Sequence, residues 1–390
     1  MNNIYLISNV ISGGKTYLEY LIPALDALRN DFNCIVLQTN RTGLSKQEAE
    51  DFLNFPVTEV DVEFIASLES QVVISNDAWI GRFLDDSNFG VFISHGNVGM
   101  PAKDPYYYAE LTAYWDAIVS PSRSACHLTS TGLQLYRRAR KSLKASIPDG
   151  IGLRSDLRTT SPIPTRPIKI AEFIDVFPSV KKTTNEHVIG LLPTQLGICP
   201  TNATLYENLQ TVLNTVKSQL PHARFILRPY MTDIEHPVVK SLCDQLSTCE
   251  WVTIDEPGTS SKDFYQKCDT IITDASTGGV SFMLSSGKLP IYYVPPTDEN
   301  NPIVDVWLKE LDNLLPIAKN SEELKDLALG LSLLSAEDSH SIYKKFYQSQ
   351  FSDLPCPKEM LRDLVEYRHA SKFYGSMINS FGHTVDRDQQ

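Results

Sequence analysis

Thr270-Ile271-Ile272-Thr273 is a short apolar run that leads directly into Asp274-Ala275-Ser276-Thr277-Gly278-Gly279. A strand that is buried on both faces of a parallel sheet has such a run, because neither face alternates with solvent. The polar and glycine residues that follow favour a turn, and the pattern from Gly279 to Ser285 then predicts a helix. Strand, turn and helix in this order form the repeating unit of a parallel α/β sheet.

The same unit recurs along most of the chain. In the first half, the predicted strands and helices run over Ile4 to Ile7, Tyr17 to Arg29, Cys34 to Gln38, Ser45 to Asn54, Gln71 to Ser75, Gly90 to Ser94 and Ala117 to Ser120. In the second half, they run over His187 to Leu192, Ala203 to Gln219, Arg224 to Arg228, His236 to Leu246, Trp251 to Ile254, Ser260 to Lys267 and Pro290 to Val294. The sequence therefore predicts an α/β protein with two Rossmann-like domains.

Length and proline content suggest where the domains begin and end. A chain of 390 residues is too long for one core, since single cores stop growing at roughly 250 to 300 residues. Four prolines interrupt the pattern between Ser155 and Asn185, which predicts a linker there. We expect one domain at 1–165, a second at 185–335, and helices at 336–390 that pack on the domains. The pattern from Ser321 to Phe381 is helical, with core leucines at Leu324, Leu327, Leu331 and Leu334.

The net charge of −12 argues against a general nucleic-acid binder, because binding to phosphates needs a basic face. One basic stretch stands out, Tyr136-Arg137-Arg138-Ala139-Arg140-Lys141, followed by Lys144. A solvated helix face explains this stretch. Peripheral contact with an anionic membrane or an anionic polymer is the alternative.

The seven cysteines are scattered and contain no Cys-x-x-Cys pair. Their odd number and spacing argue against a disulfide framework or a zinc site, and favour free thiols in a reducing compartment. The first residues, Met1 to Ser8, lack a basic region followed by a long apolar one, and no stretch approaches the ~18 apolar residues of a spanning helix. We expect a cytoplasmic protein, in solution or at the inner face of the membrane, with no metal and no cofactor.

Ligands of open parallel sheets bind beyond the carboxyl ends of the strands, so the loops there are the candidate site. The first such loop, Asn9 to Thr16, contains Gly13 and Gly14 before Lys15. It is not a phosphate-binding P-loop, because Asn9 stands where that motif needs its first glycine. Either a helix N-terminus that faces the ligand or a plain tight turn explains it.

A second loop, Ser94 to Pro101, contains His95 and Gly96 directly after a predicted strand. An imidazole with a pKa near roughly 6.5 is suited to removing a proton from a hydroxyl. The glycines of this loop, Gly96 and Gly99, let a substrate approach the backbone. We therefore predict that His95 is a general base, with a structural histidine as the alternative.

Three loops of the second half are candidates for a nucleotide donor. Arg228 ends a strand, and its planar fork of donors suits phosphate oxygens. His236 precedes Pro237 at a helix start, where it either binds a phosphate or ribose or caps the helix. Another loop, Thr273 to Val280, offers hydroxyls and backbone N–H groups to a diphosphate at the start of the next helix. The predicted donor residues of the three loops are Thr194, Arg228, His236, Asp274, Ser276, Thr277 and Gly278.

Several of these segments, in the same order, resemble the CDP-glycerol glycerophosphotransferase family of teichoic-acid polymerases and primases. Its Trp-His-Gly-Thr-Pro-x-Lys, Ala-Pro-Thr and Ala-Asp-x-x-Ile-Thr-Asp-Tyr-Ser-Ser motifs are similar to Ser94-His95-Gly96 with Pro101 and Lys103, to Leu192-Pro193-Thr194, and to Cys268 through Thr277. The strand segment Asp116 to Ser122 and the stretch Lys345 to Phe351 also resemble that family. The chain differs at Ser94 and Gln195, where the family has Trp and Arg, and in the spacing of its second His-Pro pair.

The resemblance implies the GT-B fold, in which the first domain takes the acceptor, here with Gly13, Gly14 and Gly96, and the second takes the nucleotide donor. It also implies transfer of a polyol phosphate, such as glycerol phosphate, from a CDP-linked donor to a polymer- or lipid-linked acceptor in cell-surface polymer synthesis. His95 is then the base.

Two alternatives stay open. One is a GT-B glycosyltransferase that uses a CMP-activated sugar of the Kdo or sialic acid type, or a UDP-sugar, with Asp233 or Glu235 as base or nucleophile. The other is a GT-B domain without catalysis that binds a polymer or a partner.

Overall fold

Two parallel β-sheets with helices around them form the framework of the chain. The computed structural model describes residues 3–9, 17–94, 105–142, 158, 162–168, 187–196, 204–256, 261–296 and 302–368. Each strand pair within these residues is parallel. The predicted α/β class is therefore confirmed.

The first sheet is formed by residues before position 165. In chain order its elements are β1 (Ile4–Ser8), α1 (Leu21–Leu28), β2 (Cys34–Thr39), α2 (Lys46–Leu53), β3 (Val57–Val60), α3 (Val62–Ala66), β4 (Val72–Ser75), β5 (Phe89–Ile93), α4 (Pro105–Thr112), β6 (Ala117–Ser120), α5 (Arg123–Ser142) and β7 (Pro162–Pro164). The strands lie in the order β3-β2-β1-β4-β5-β6-β7. The strand order reverses between β1 and β4, as in a Rossmann fold.

The second sheet repeats this arrangement. Its elements are β8 (Val188–Leu192), α6 (Thr204–Gln219), β9 (Arg224–Leu227), α7 (Pro237–Leu246), β10 (Val252–Ile254), α8 (Ser261–Lys267), β11 (Thr270–Thr273), α9 (Gly278–Ser286), β12 (Ile291–Tyr293), α10 (Pro302–Leu311) and β13 (Ile317–Ala318). The strand order is β10-β9-β8-β11-β12-β13, which reverses between β8 and β11. Both halves of the chain are therefore Rossmann-like, as predicted.

Local sequence accounts for where these elements lie and end. Val72, Val73 and Ile74 of β4 are each at most 1% exposed, which fits a strand covered on both faces. Helix α2 begins after Ser45, whose side chain accepts a hydrogen bond from the N–H of Glu48 in a capping box, and it ends before Asn54 in the left-handed region. The predicted helix from Ser45 to Asn54 thus included its own caps.

The predicted linker is wrong over Pro162–Pro164, because these residues form β7. This strand pairs only with β6, so it is an edge strand, where the missing N–H groups of proline are tolerated. The N–H of Thr165 completes the pairing by donating to the carbonyl of Ser120 at 2.7 Å. Proline in the sequence pointed to a break, whereas the sheet uses it at an edge. The predicted domain limits stay predictions.

The C-terminal region is helical over its described residues, as the pattern from Ser321 predicted, and it is divided into three helices. The region contains α11 (Ser321–Leu333), α12 (Ala336–Phe351) and α13 (357–368), and residues 369–381 lie outside the described part. Helix α12 has its own N-cap, because Ser335 accepts from the N–H of Asp338. Of the four predicted core leucines, Leu324 is fully buried and the other three pack partly buried against the core.

Helix α13 packs against the first sheet, although it follows the second sheet in sequence. Leu361 and Val365 are 0% exposed in a cluster with Ile4 and Val72. The Nη2 atom of Arg362 donates to Asp31 at 2.6 Å beside α1. Near the end of β7, the N–H of Arg166 donates to the carbonyl of Pro355 at 3.2 Å. The chain therefore crosses back from the second Rossmann-like unit to the first.

Three further expectations concern membrane-spanning helices, the state of the cysteines and metal binding. None of the helices within the described ranges is long and apolar enough to cross a membrane. The six cysteines that can be placed are free thiols, at Cys34, Cys126, Cys243, Cys249, Cys268 and Cys356. A search for clusters of metal-binding side chains, made over the same ranges, finds none.

Candidate active site

The carboxyl ends of the strands at the two reversals of strand order are where ligands of such sheets bind. In the first sheet this position lies after β1 and β4, and in the second after β8 and β11. Buried polar residues follow all four strands, namely Asn9, Asn76, Thr194 and Asp274. The polar groups of the interior are therefore concentrated where a site is expected.

Asp274, one of the predicted donor residues, organises the second of these positions. Its carboxylate is 0% exposed and accepts hydrogen bonds from the N–H of Thr194 at 2.9 Å, from the hydroxyl of Thr194 at 2.5 Å, and from the N–H of Leu205 at 3.1 Å. These bonds connect the turn after β11 to the loop after β8 and to the first turn of α6. The structure thus brings together Thr194 and Asp274.

Burial raises the pKa of Asp274 to about 7, although the hydrogen bonds from Thr194 and Leu205 act in the opposite direction. Loss of hydration outweighs these bonds because the carboxylate has no contact with solvent. Asp274 is therefore a positioning group that titrates near neutral pH, and its oxygens face protein donors.

The turn after Asp274 presents the start of α9. The hydroxyl of Ser276 is 2.8 Å from the Oγ1 atom of Thr273 and accepts from the N–H of Gly278 at 3.2 Å. Thr277 occupies the N-cap position, and its side chain makes no capping hydrogen bond within the described structure. Ser276, Thr277 and Gly278 are all partly exposed. The hydroxyls of Ser276 and Thr277 thus lie beside the first N–H groups of a helix, which is a favourable position for an anion.

Glycine is required at this helix start. A Cβ atom on Gly278 would lie 2.5 Å from Cδ2 of Leu192, and one on Gly279 would lie 2.4 Å from the hydroxyl of Tyr292. Any larger residue would push α9 away from β8 and β12. The two glycines therefore set how closely the helix start approaches the sheet.

Arg228, predicted as a phosphate ligand, already has a partner. Its Nη1 atom donates to the Oδ2 atom of Asp255 at 2.7 Å, and its guanidinium lies over the ring of Phe264 at 5.2 Å from the centroid. The Asp255 side chain is 3% exposed and that of Arg228 is 18% exposed. Asp255 fixes the direction of the guanidinium and offsets its charge. The phosphate role of Arg228 stays a prediction.

Three predicted site residues lie in the loop after β9, and they differ in burial. Asp233 is buried, burial raises its pKa, and its carboxylate accepts from the N–H of Leu196 at 2.8 Å. Glu235 is exposed and lies 3.8 Å from Lys240. His236 is an exposed N-cap residue whose ring makes no capping hydrogen bond within the described structure. This geometry makes Asp233 a support for the loop after β8, and its chemical role stays a prediction.

The first sheet has a polar cluster that sequence reasoning missed. Asn9 donates through Nδ2 to Asp77 at 2.7 Å and accepts through Oδ1 from the hydroxyl of Thr39 at 2.5 Å. Asn76 donates through Nδ2 to the carbonyl of Tyr17 at 2.7 Å. The sequence contains a signal for this cluster, because β1 and β4 each end in a serine that is followed by an asparagine. Asparagine directly after a buried strand is the feature that was overlooked.

The predicted acceptor-side residues His95, Gly96, Gly13 and Gly14 lie outside the described residues. Ser94, which precedes His95, is 3% exposed, and its N–H donates to the carbonyl of Val119 at 3.0 Å. This places Ser94 at the carboxyl end of β5, beside β6.

The basic stretch from Tyr136 to Lys144 is described only in part. Tyr136 is buried, and Arg137 donates to the carbonyl of Arg158 at 3.1 Å. The side chains of Arg140 and Lys141 and the whole of Lys144 lie outside the described residues. Contact of this stretch with a membrane or a polymer stays a prediction.

Solved structures with a similar fold cover nearly the whole chain. HepE from Anabaena in complex with UDP and glucose aligns with a TM-score of 0.58 and 11% identity over 95% of this chain and 100% of that chain. MnaA from S. aureus in complex with UDP aligns with a TM-score of 0.52 and 12% identity over 90% and 94% of the two chains. The wall teichoic acid polymerase TagF aligns with a TM-score of 0.52 and 11% identity over 95% and 89%.

The chain has the GT-B fold. Its two Rossmann-like units, joined by a helix that returns to the first, meet the prediction of two such domains facing a cleft. No family model and no curated protein matches the sequence. The structural alignments support the fold alone, because identities of 11 to 12% are too low to indicate which substrates this chain binds.

Proposed function

We propose that this chain transfers a group from a nucleotide-activated donor to the hydroxyl of an acceptor. The observation that carries the proposal is the arrangement around Asp274, which connects two loops of the second sheet beside the start of α9. A diphosphate bound there would meet the hydroxyls of Ser276 and Thr277 and the first N–H groups of the helix. Two proteins with a similar fold, HepE and MnaA, contain UDP.

Within this function, the donor is a CDP-linked polyol phosphate such as CDP-glycerol. Support comes from the resemblance of the segment Cys268 to Thr277 to that family, and from the similar fold of a wall teichoic acid polymerase. The acceptor is a polymer- or lipid-linked alcohol, bound on the side of the first sheet. The enzyme would then act in the cytoplasm or at the inner face of the membrane.

The reaction follows from this assignment. The acceptor hydroxyl gives its proton to His95, and its oxygen forms a bond to the β-phosphorus of the donor. The bond between that phosphorus and the bridging oxygen breaks, and CMP leaves with the electron pair. Hydroxyls and N–H groups at the start of α9, together with Arg228 and His236, would stabilise the charge on the departing nucleotide. No step needs a metal ion or an organic cofactor.

A UDP- or CMP-activated sugar is the second candidate donor, since HepE contains UDP and glucose. Attack would then fall on the anomeric carbon. Asp233 is a poor candidate for the base in that reaction because its carboxylate accepts from the N–H of Leu196. Glu235 is exposed and would have to reach the substrate from the surface. The buried position of Asp233 therefore favours His95 as the base for either donor.

Calorimetric titration of the purified chain with CDP-glycerol, CDP-ribitol, CMP-Kdo and UDP-glucose tests the donor class. We expect CDP-glycerol or CDP-ribitol to bind, and to raise the melting temperature by mass action. A transfer assay that follows CMP release with a glycerol phosphate oligomer as acceptor then tests the reaction. Binding of UDP-glucose alone would favour the sugar-transfer alternative, and no binding of any nucleotide would contradict the proposal.

A further inference from the structure

Tyr17 and Tyr230 connect the two Rossmann-like units directly. Their hydroxyl oxygens are 3.1 Å apart, a hydrogen bond between residues that are 213 positions apart in sequence. Tyr17 stands just before α1 of the first unit, and Tyr230 stands after β9 of the second. Both side chains are partly buried. The contact lies at the carboxyl-end side of both sheets, where the candidate site is.

On the first unit, Tyr17 is tied to the polar cluster after β4. Its carbonyl accepts from Nδ2 of Asn76 at 2.7 Å, while the next residue, Asp77, accepts from Nδ2 of Asn9 at 2.7 Å. Asn9 and Tyr17 flank the predicted glycine loop in sequence. Two adjacent residues, Asn76 and Asp77, therefore hold the positions at which the chain enters and leaves that acceptor-side loop.

On the second unit, Tyr230 is tied to the loops around the donor position. Its N–H donates to the hydroxyl of Tyr206 in α6 at 3.1 Å, and its carbonyl accepts from the N–H of Asp233 at 2.9 Å. The carboxylate of Asp233 in turn holds the N–H of Leu196. Leu196 belongs to the same short loop as Thr194, which is bound to Asp274. Tyr230 is therefore two hydrogen-bonded steps from the loop after β8.

An electrostatic effect also connects this part of the first unit to the second unit. Burial is the main cause of a raised pKa of Tyr265 in α8. The charge of Arg228 lowers this pKa, and the charge of Glu19 raises it. The hydroxyl of Tyr265 lies 3.5 Å from the carbonyl of Gly278, to which it donates. Tyr17 thus contacts the loop after β9, and the charge of Glu19 acts on Tyr265, which bonds to the start of α9.

We infer that Tyr17 and Tyr230 are positioning residues that couple the polar cluster after β1 and β4 to the donor-side loops through their shared hydrogen bond. The inference rests on the proposed transfer function, in which acceptor and donor must meet across the two units. Transfer requires the acceptor oxygen and the donor phosphorus to be held in one geometry, and small misplacements reduce rate strongly. The pair fixes the position of the polar cluster relative to the loop after β9 without touching either substrate.

Tyr17→Phe, Tyr230→Phe and the double variant remove the hydrogen bond and keep both rings. Tyr5→Phe is the matched control, because Tyr5 is a partly buried tyrosine whose hydroxyl accepts from Asn3 within the first unit. For each single variant we expect roughly a three- to tenfold loss in kcat/KM for the acceptor, with donor Kd within about twofold of wild type. The double variant should lose no more than either single variant, since both remove the same bond.

Hydrogen exchange followed by mass spectrometry tests the coupling without any assumption about the substrate. Tyr230→Phe should raise exchange in peptides that cover residues 17–28 of the other unit, and Tyr17→Phe should raise it in peptides that cover 226–233. Tyr5→Phe should change neither. Failure of the wild type to transfer any group would contradict the proposed function alone, because the exchange result still decides the inference. Additive losses in the double variant, or exchange changes confined to the substituted unit, would overturn the inference.

Discussion

The carboxyl ends of the two sheets are built from different chemical groups. At the first sheet, amides and hydroxyls bond across strands, as Thr39, Asn9 and Asn76 do. At the second sheet, buried carboxylates accept from backbone N–H groups or from an arginine, as Asp233, Asp255 and Asp274 do. Asp233, Asp255 and Asp274 follow three strands that are consecutive in the chain, β9, β10 and β11, and β8 lies between β9 and β11 in the sheet. The folding pattern is shared, and the polar chemistry is not.

This difference fits two substrates of different kinds. A carboxylate that accepts several backbone N–H bonds fixes its loops in one conformation, which suits a site that must present a ready arrangement of donors to a diphosphate. Amides and hydroxyls predominate at the first sheet, where they suit a hydroxyl substrate, and the carboxylate of Asp77 accepts from Asn9 at the edge of this cluster. The second side is also sensitive to pH through Asp274, whereas the bonds between Thr39 and Asn9 involve only neutral groups.

The largest expected effect is on the acceptor side, at His95. As a general base His95 contributes roughly 10²- to 10⁴-fold to turnover, so His95→Ala should lower kcat by that factor. Donor affinity, which is assigned to the other sheet, should stay near wild type. Measurement of kcat, donor Kd and melting temperature on the same variant separates catalysis from stability. A fall in melting temperature that accounts for the lost activity would assign His95 a structural role.

Asp274 should make stability depend on pH. Its pKa is raised to about 7, so between about pH 4 and pH 7 the folded protein keeps a proton that the unfolded chain has released. The free energy of unfolding should therefore fall as pH rises through this window, by about 4 kcal/mol at most for this group. Asp274→Asn cannot titrate, and should remove that part of the slope. Urea denaturation of both proteins at several pH values from 4.5 to 8 measures it.

Asp338→Asn is the control for this experiment, because Asp338 is an exposed carboxylate that accepts from the hydroxyl of Ser335. We expect it to follow the wild-type pH dependence. If Asp274→Asn changes the free energy of unfolding by the same amount at every pH, the pKa of Asp274 is not raised in the folded protein. The two sheets would then not differ in how their stability depends on pH.

On the donor side, the double change Ser276→Ala and Thr277→Ala should weaken nucleotide binding by roughly ten- to a hundredfold, since hydrogen bonds to charged groups are strong. The fold should persist because both side chains are partly exposed. Ser335→Ala removes the N-cap of α12 instead and should leave nucleotide affinity unchanged. Calorimetry with the nucleotide that binds the wild type measures both. Equal affinity in the double variant would move the diphosphate away from α9.

Much of the fold could be predicted because buried parallel strands are continuous apolar runs. The bounds of β6 and β11 coincide with their predicted bounds, Ala117–Ser120 and Thr270–Thr273. Strand β3 was missed because Val57–Val60 is half exposed and polar in the middle, and β7 because it contains two prolines. Both are edge strands, covered less completely than the centre of the sheet. The sequence pattern weakens wherever burial does.

The site was predictable in part for a different reason. Loops after strands can be located from the pattern, which led to Thr194, Asp274 and Ser276. The partners of a side chain are set by tertiary contacts, so the bond of Asp255 to Arg228 and the bond of Tyr17 to Tyr230 have no local signal. For the same reason the sequence could not distinguish Asp233 as a loop support from Asp233 as a base. The residue type indicates what chemistry a side chain can perform, and its tertiary contacts determine which role it has in the folded protein.

The smallest expected effect is on the neutral cluster of the first sheet. Thr39→Val keeps the shape of the side chain but removes the hydroxyl that donates to Oδ1 of Asn9, and both residues are 0% exposed. A buried acceptor that loses one donor should lower the free energy of unfolding by about 1 kcal/mol. Because neither group carries a charge, the loss should be equal at pH 5.5 and pH 8, in contrast to Asp274. Thr253→Val on the exposed face of β10 is the control and should change stability little. A loss at Thr39 that varies with pH would show that the bond between Thr39 and Asn9 depends on the carboxylate of Asp77, to which Asn9 donates. The two carboxyl ends would then differ less than proposed.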